Sequence, residues 1–173
     1  MPHIFAELDF VIAAYLVHPN LDRVLLVKHK KLGWWLPVGG HIEIGQTTDE
    51  ALAREIKEET GLAKHEIEWV QAGELRDLRD VWRTADHGHS QLLITPHLVE
   101  LHEFPPLPGH RHLCFVYFGR ATTEQVRLEE SAHSAMHWFT REELGSGGAV
   151  ELETVRTSCL MAMREVRHAS EAR

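Results

Sequence analysis

Apolar and polar positions along the chain alternate in blocks that predict a hairpin, a glycine-rich entry, a short helix, further strands and a closing helix. Phe10–His18 (FVIAAYLVH) and Arg23–His29 (RVLLVKH) are dense in β-branched and aromatic residues, and Pro19-Asn20-Leu21-Asp22 supplies turn chemistry between them. Gly33-Trp34-Trp35 and Pro37 interrupt that pattern before the pair Gly39-Gly40. Thr47 and Glu50 are spaced as a capping box, Leu52, Ala53 and Ile56 form a buried stripe, and Gly61 stops the helix. Ile67–Leu78 carries a weak strand signal; Leu92–Leu101 and Leu113–Phe118 carry stronger ones, with Pro96 assigning the former to an edge or bulge. Met136–Phe139 predicts a last short strand before a turn at Arg141–Leu144, and Gly145-Ser146-Gly147-Gly148 a break. Leu152, Val155, Cys159, Met163 and Val166 then recur at helical spacing, predicting a C-terminal helix against the sheet. Strands first with helices interspersed fit an α/β sandwich.

Composition narrows the class. The 173 residues suffice for one domain with its own core, so residues 1–173 are expected to form a single domain. Hydrophobic residues at 43% and charged residues at 25% exclude a disordered chain. A net charge of −8 argues against broad electrostatic binding to nucleic acid or to an anionic membrane, while leaving room for a small phosphorylated substrate wherever a cation reverses the local sign. Met1–Asp9 is acidic rather than basic and the run Phe10–Val17 is too short to span a bilayer, so neither a secretory signal nor a membrane anchor is expected. Cys114 and Cys159, without ligand-like spacing, read as two buried free thiols of a cytoplasmic protein.

The strongest chemical signal lies in Gly40–Leu62, GHIEIGQTTDEALAREIKEETGL. Glu55, Glu58 and Glu59 fall within an arc of about 100° at the end of the predicted helix. Like charges at those spacings repel by about 0.2–0.5 kcal/mol per pair, and the helix dipole opposes them further. A divalent cation removes both penalties. The segment closely resembles the Nudix box, G-x5-E-x7-R-E-U-x-E-E-x-G-U with U a bulky aliphatic residue. Gly40, Arg54, Glu55, Ile56, Glu58, Glu59, Gly61 and Leu62 occupy the fixed positions, and Gln46 stands where the family has glutamate. So many fixed positions at fixed spacing form a specific signal.

The resemblance implies an α/β/α sandwich with a mixed central sheet and a C-terminal helix, and a loop–helix–loop holding Mg²⁺ or Mn²⁺ against a pyrophosphate. It implies metal ligation by Glu55, Glu58 and Glu59 with the Gly39 carbonyl, and a catalytic set of Arg54, Glu55, Glu58 and Glu59 in which Arg54 orients a glutamate. The implied reaction is hydrolysis of a phosphoanhydride in a nucleoside diphosphate linked to another moiety, or in a nucleoside triphosphate. Homodimers are common in the family. Gln46 keeps an acceptor oxygen and loses a charge, which leaves a second reading: a nucleotide-binding module or sensor with weak or no catalysis.

Beyond the box, Glu129 and Glu130 are candidates for the additional glutamate that many family members supply from a distant loop. Fourteen histidines are present, clustered at His87 and His89, at His110 and His112, and from His133 to His137. No Cys or paired His spacing among them supports a zinc site. His110, Arg111 and His112, following Phe104–Gly109, are expected to border the substrate, with Arg111 offering a bidentate phosphate contact. The loops Thr84–Ser90 and Phe104–His112 are expected to choose the substrate, and Trp35 and Trp138 read as core.

Overall fold

A computed structural model describes residues 7–71, 91–146 and 148–172. In chain order the elements are β1 (Leu8–Val17), β2 (Arg23–His29), β3 (Trp35–Leu36), β4 (Val38–His41), α1 (Thr48–Thr60), β5 (Ile67–Trp69), β6 (Leu98–Glu103), β7 (Arg111–Ala121), β8 (His133–Thr140), α2 (Arg141–Gly145) and α3 (Glu153–Glu171). A one-turn helix at Lys64–Glu66 links α1 to β5.

The sheet is mixed. β1 and β7 run parallel through its centre, from Leu8 opposite Arg111 to Val17 opposite Arg120. The other edge of β1 is shared between two antiparallel partners: β2 pairs at Leu16–Val17, and β4 takes over at Val11–Ala14. β7 is shared likewise, with β6 along its first half and β5 at its end. β8 lies beside β2 and closes that side.

Both faces of β1 are covered, which explains its unbroken apolar run. Ile12, Ala14 and Leu16 pack with Val38 and with Ala51, Leu52 and Ile56 of α1. Val11, Ala13, Tyr15 and Val17 pack on the other face with Val155, Cys159, Ala162, Met163 and Val166 of α3. The result is the expected α/β/α sandwich with its C-terminal helix. Cys114 and Cys159 are buried free thiols in the α3 layer.

Helix α1 starts as the sequence predicts. Thr47 N–H donates to Glu50 Oε2 at 2.8 Å, and Glu50 N–H donates to Thr47 Oγ1 at 3.2 Å. Gly61, at φ 75°, ends it and donates its N–H to the Lys57 carbonyl at 3.1 Å. Ala53 is partly exposed, however, and the buried stripe is completed by Ala51 instead, because the sheet meets the helix one residue round from the expected line.

Other boundaries also move. The strand expected over Ile67–Leu78 is confined to Ile67–Trp69 among the described residues, with 72–78 lying outside them. The strand expected at Leu92 begins only at Leu98, beyond Pro96, as an exposed edge strand. β8 starts at His133 because it pairs with β2 along nearly its whole length. The turn expected at Arg141–Leu144 is the helix α2, begun by a second capping box between Thr140 and Glu143. Trp35 and Trp138 are only partly buried. His87, His89 and the whole Thr84–Ser90 loop fall outside the described residues.

The tightest approach in the fold is at β4. Gly39 has φ 152°, and a Cβ there would overlap the Ile12 carbonyl of β1. A Cβ at Gly40 would overlap the Glu55 carboxylate instead. The glycine pair therefore lets one strand lie between its neighbour strand and a carboxylate. Gly39→Ala is expected to cost about 2 kcal/mol or more of stability, read as a lowered denaturation midpoint in urea, since the pairing with β1 must open to admit the methyl group.

Candidate active site around helix α1

Strand β4 and helix α1 bring the box residues together. Arg54 is the organiser. Its guanidinium donates to Glu55 Oε1 at 2.7 Å, to the His41 carbonyl at 2.8 Å, to Gln46 Oε1 at 3.2 Å and to Glu58 Oε2 at 3.5 Å. One planar fork thus ties the end of β4, the loop before α1 and two of the three carboxylates. Gln46 Oε1 also accepts the Glu43 N–H at 3.2 Å, so its oxygen supports the loop and the arginine.

The three glutamates do not share one environment. Glu58 is exposed, with 57% of its side chain accessible, whereas the side chains of Glu55 and Glu59 are only 12% and 11% accessible. Burial raises the Glu55 pKa against the lowering effect of Arg54. Burial raises Glu59 further, well above the usual carboxylate range, against the Gly39 N–H that donates to Oε2 at 3.0 Å. Glu55, Glu129 and Glu58 add like charge around it. His133, itself buried, places Nε2 3.2 Å from Glu59 Oε1, and burial keeps that imidazole's pKa below its ordinary value.

The loop before β8 closes over the end of α1: Arg127 N–H donates to the Thr60 carbonyl and Glu129 N–H to the Glu59 carbonyl. The Glu129 carboxylate is engaged within its own turn. It accepts from Ser131 and Ala132, and hydrogen bonds from these residues hold its pKa down to about 2. Glu130 is exposed. The placement of His133 was not singled out by sequence reasoning, because the contact joins residues 59 and 133 through β8 and α1.

Arg111, His110 and His112 are split between the sheet faces. Phe115 and Tyr117 of β7 face α1, so by strand alternation Arg111, which is exposed, lies on that side. His110 and His112 are buried with His41, on the side where β1 and β7 present Val11 and Cys114. Their rings pack edge to face, His112 with His41 at 5.2 Å and with His110 at 5.0 Å. Burial first, then the neighbouring imidazoles, lower the His112 pKa to about 4.

A family model described as NUDIX domain matches residues 9–157. The chain belongs to the Nudix hydrolase superfamily. A NUDIX-family hydrolase structure from Clostridium perfringens superposes with a TM-score of 0.73 at 29% identity, covering 90% of this chain and 96% of that one. A Caenorhabditis elegans Ap4A hydrolase shares the fold at a TM-score of 0.62 and 15% identity, covering 95% and 98% of the two chains. Among curated relatives, the human NAD-capped RNA hydrolase NUDT12 is 29% identical over 142 residues, 81% of this chain and 24% of that protein. The m7GpppN-mRNA hydrolase NUDT17 of Xenopus laevis is 40% identical over 65 residues, 35% of this chain and 22% of that protein. This Nudix chain thus spans about a quarter of the length of those two relatives.

The perturbed Glu59 has a measurable consequence. A carboxyl whose folded pKa exceeds its unfolded value of about 4.3 favours the fold when protonated, and loses that contribution as pH rises through the folded pKa. In the metal-free protein, Glu59→Gln is therefore expected to raise the melting temperature near pH 8. The difference should vanish below about pH 4. Thermal melts of both proteins across that range in EDTA read the effect.

Proposed function

We propose that this chain is a Mg²⁺- or Mn²⁺-dependent pyrophosphohydrolase that cleaves the phosphoanhydride of a nucleoside diphosphate linked to another moiety, or of a nucleoside triphosphate. The observation that carries this reading is the burial of Glu55 and Glu59 beside the Gly39-Gly40 cradle, with exposed Glu58 at its rim. Two carboxylates with raised pKa values and, among the described residues, one guanidinium hydrogen-bonded beside them fit a small hard cation, and all-oxygen donors match Mg²⁺ and Mn²⁺.

Glu55, Glu58 and Glu59 would hold the ion, with the Gly39 carbonyl as a further oxygen donor. When bound, it neutralises charge on the phosphoryl oxygens and lowers the pKa of bound water far below about 15.7. The protein's own groups do the rest. Arg54 fixes Glu55 through its 2.7 Å contact and, through the His41 carbonyl and Gln46, fixes the loop between β4 and α1. His133 and the Gly39 N–H orient the two oxygens of Glu59 from opposite sides, leaving its remaining lone pairs for ion or proton. Arg111, exposed at the start of β7, would offer its guanidinium to a substrate phosphate.

The relatives' names support a substrate of this class: theirs are NAD-capped RNA, m7GpppN-mRNA and, for a Methanocaldococcus jannaschii protein, ADP-ribose. Each contains a nucleoside joined through phosphoanhydride to a second group, the bond this site is suited to cleave. RNA 5′ ends therefore belong among the substrates to test, beside NAD, ADP-ribose and dinucleoside polyphosphates, although the net charge of −8 favours the small ones.

Product release from that panel with Mg²⁺ or Mn²⁺ is the deciding experiment, and no turnover on any member would overturn the reading. Glu58→Gln is expected to reduce kcat by at least about 100-fold without altering the metal-free melting temperature, because this exposed carboxylate serves the cation rather than the fold. Gln46→Glu is expected to change kcat by less than about tenfold, since its oxygen already meets Arg54 and the Glu43 N–H.

A further inference from the structure

Three histidines, of which His110 and His112 were expected to border the substrate, converge on the sheet face away from α1. His41 ends β4, Asp9 lies near the start of β1, His112 is the second residue of β7, and His110 immediately precedes that strand. Register explains the meeting. Val11 pairs with His41 and Asp9 with His112, and Val11 points into the α3 layer; directly paired residues share a face, as do residues two apart.

The geometry is that of a ligand set. One ring nitrogen from each of His41, His110 and His112 can be chosen so that all three lie within 4.8 Å of one another. Asp9, 2% exposed, places Oδ2 3.4 Å from His41 Nε2 and 3.5 Å from His110 Nε2. Both are too long for a charge-assisted hydrogen bond of about 2.7–2.9 Å. A carboxylate beside ligating imidazoles is the usual partner that orients them toward a metal ion. His110 is 4% exposed, and neither of its ring nitrogens makes a hydrogen bond among the described residues. An imidazole has a donor and an acceptor to satisfy, and leaving them unmet in the interior is unfavourable. Phe104 stacks on His112 at 4.9 Å and meets His110 edge-on, walling the cluster. Nearby His102 is half exposed and faces Glu100, 3.3 Å away, so it stands outside the set.

We propose that His41, His110 and His112, with the Asp9 carboxylate beside two of them, form a binding site for a borderline-soft divalent transition cation, Zn²⁺ above all, separate from the carboxylate site on α1. Three imidazoles, which leave a fourth position open, suit Zn²⁺, whereas the oxygen-only set around Glu59 suits Mg²⁺ or Mn²⁺. An ion here ties β1, β4 and β7 together at the residue that follows the Gly39-Gly40 pair. Because the His41 carbonyl accepts from Arg54, the tie also steadies the support of the α1 site from behind. The inference rests on the histidine geometry alone and stands whether or not the chain hydrolyses a pyrophosphate.

The test uses the full chain stripped with EDTA and titrated with Zn²⁺ alone, or with Co²⁺ as an absorbing substitute. One equivalent of Co²⁺ is expected to produce the strong visible absorption of four-coordinate cobalt, displaced by Zn²⁺ and unaffected by excess Mg²⁺. His110→Ala and, separately, His112→Asn should weaken binding by at least about 100-fold, while Glu58→Gln and Glu59→Gln leave it unchanged. Absence of that absorption, or its loss in Glu59→Gln with retention in His110→Ala, would overturn the proposal. X-ray absorption on the zinc-loaded unmodified chain decides the matter even if a histidine variant fails to fold. Imidazole backscattering supports the site, and an oxygen-only shell refutes it.

Discussion

Two carboxylates held out of water against a pair of glycines are the constraint around which the rest of this structure is arranged. Glu55 and Glu59 project from α1 towards β4, and nothing larger than hydrogen fits on Gly40 beside Glu55. Desolvation of an ionised carboxylate is expensive unless charge and hydrogen bonds compensate it. The fold supplies part of the compensation, through Arg54 to Glu55 and through the Gly39 N–H and His133 to Glu59. What remains uncompensated is what the proposed cation would supply.

That arrangement explains why the surrounding architecture is so tightly specified. β4 slots beside β1 just where β2 has peeled away, and there the Gly39 N–H reaches Glu59 while any Cβ on Gly39 would overlap the Ile12 carbonyl. Helix α1 must begin and end sharply to deliver its carboxylates in register, and its capping box and left-handed glycine do so. The loop from Arg127 to Glu129 then closes on the helix end through two backbone hydrogen bonds. The exchange of glutamate for Gln46 is tolerable within this design because that position meets Arg54 and backbone rather than standing alone in the cluster.

The two faces of β4 present contrasting chemistry. Gly40 faces hard oxygen donors on α1, while His41, the next residue, turns by strand alternation towards a nitrogen-rich cluster on the α3 side. A strand of four residues thereby stands between two donor sets of different softness, and Arg54 reaches its backbone from one of them.

Much of this was legible in the chain. Capping residues, the φ-demanding Gly61, the paired glycines and the spacing of Arg54 to Glu59 are local features, and local geometry decides them. The C-terminal helix was legible because Val155, Cys159, Met163 and Val166 share one helical face. Boundaries at Leu98 and His133 depended on which strand offered a partner, which no local pattern encodes. The sequence likewise marked three glutamates as one acidic arc, but only packing against β4 and the loop before β8 made Glu55 and Glu59 buried and left Glu58 in solvent. The meeting of Asp9, His41, His110 and His112 lies furthest from sequence reasoning. It is created by the registers of β4 and β7 on β1, and those are set by long-range pairing between segments up to about a hundred residues apart.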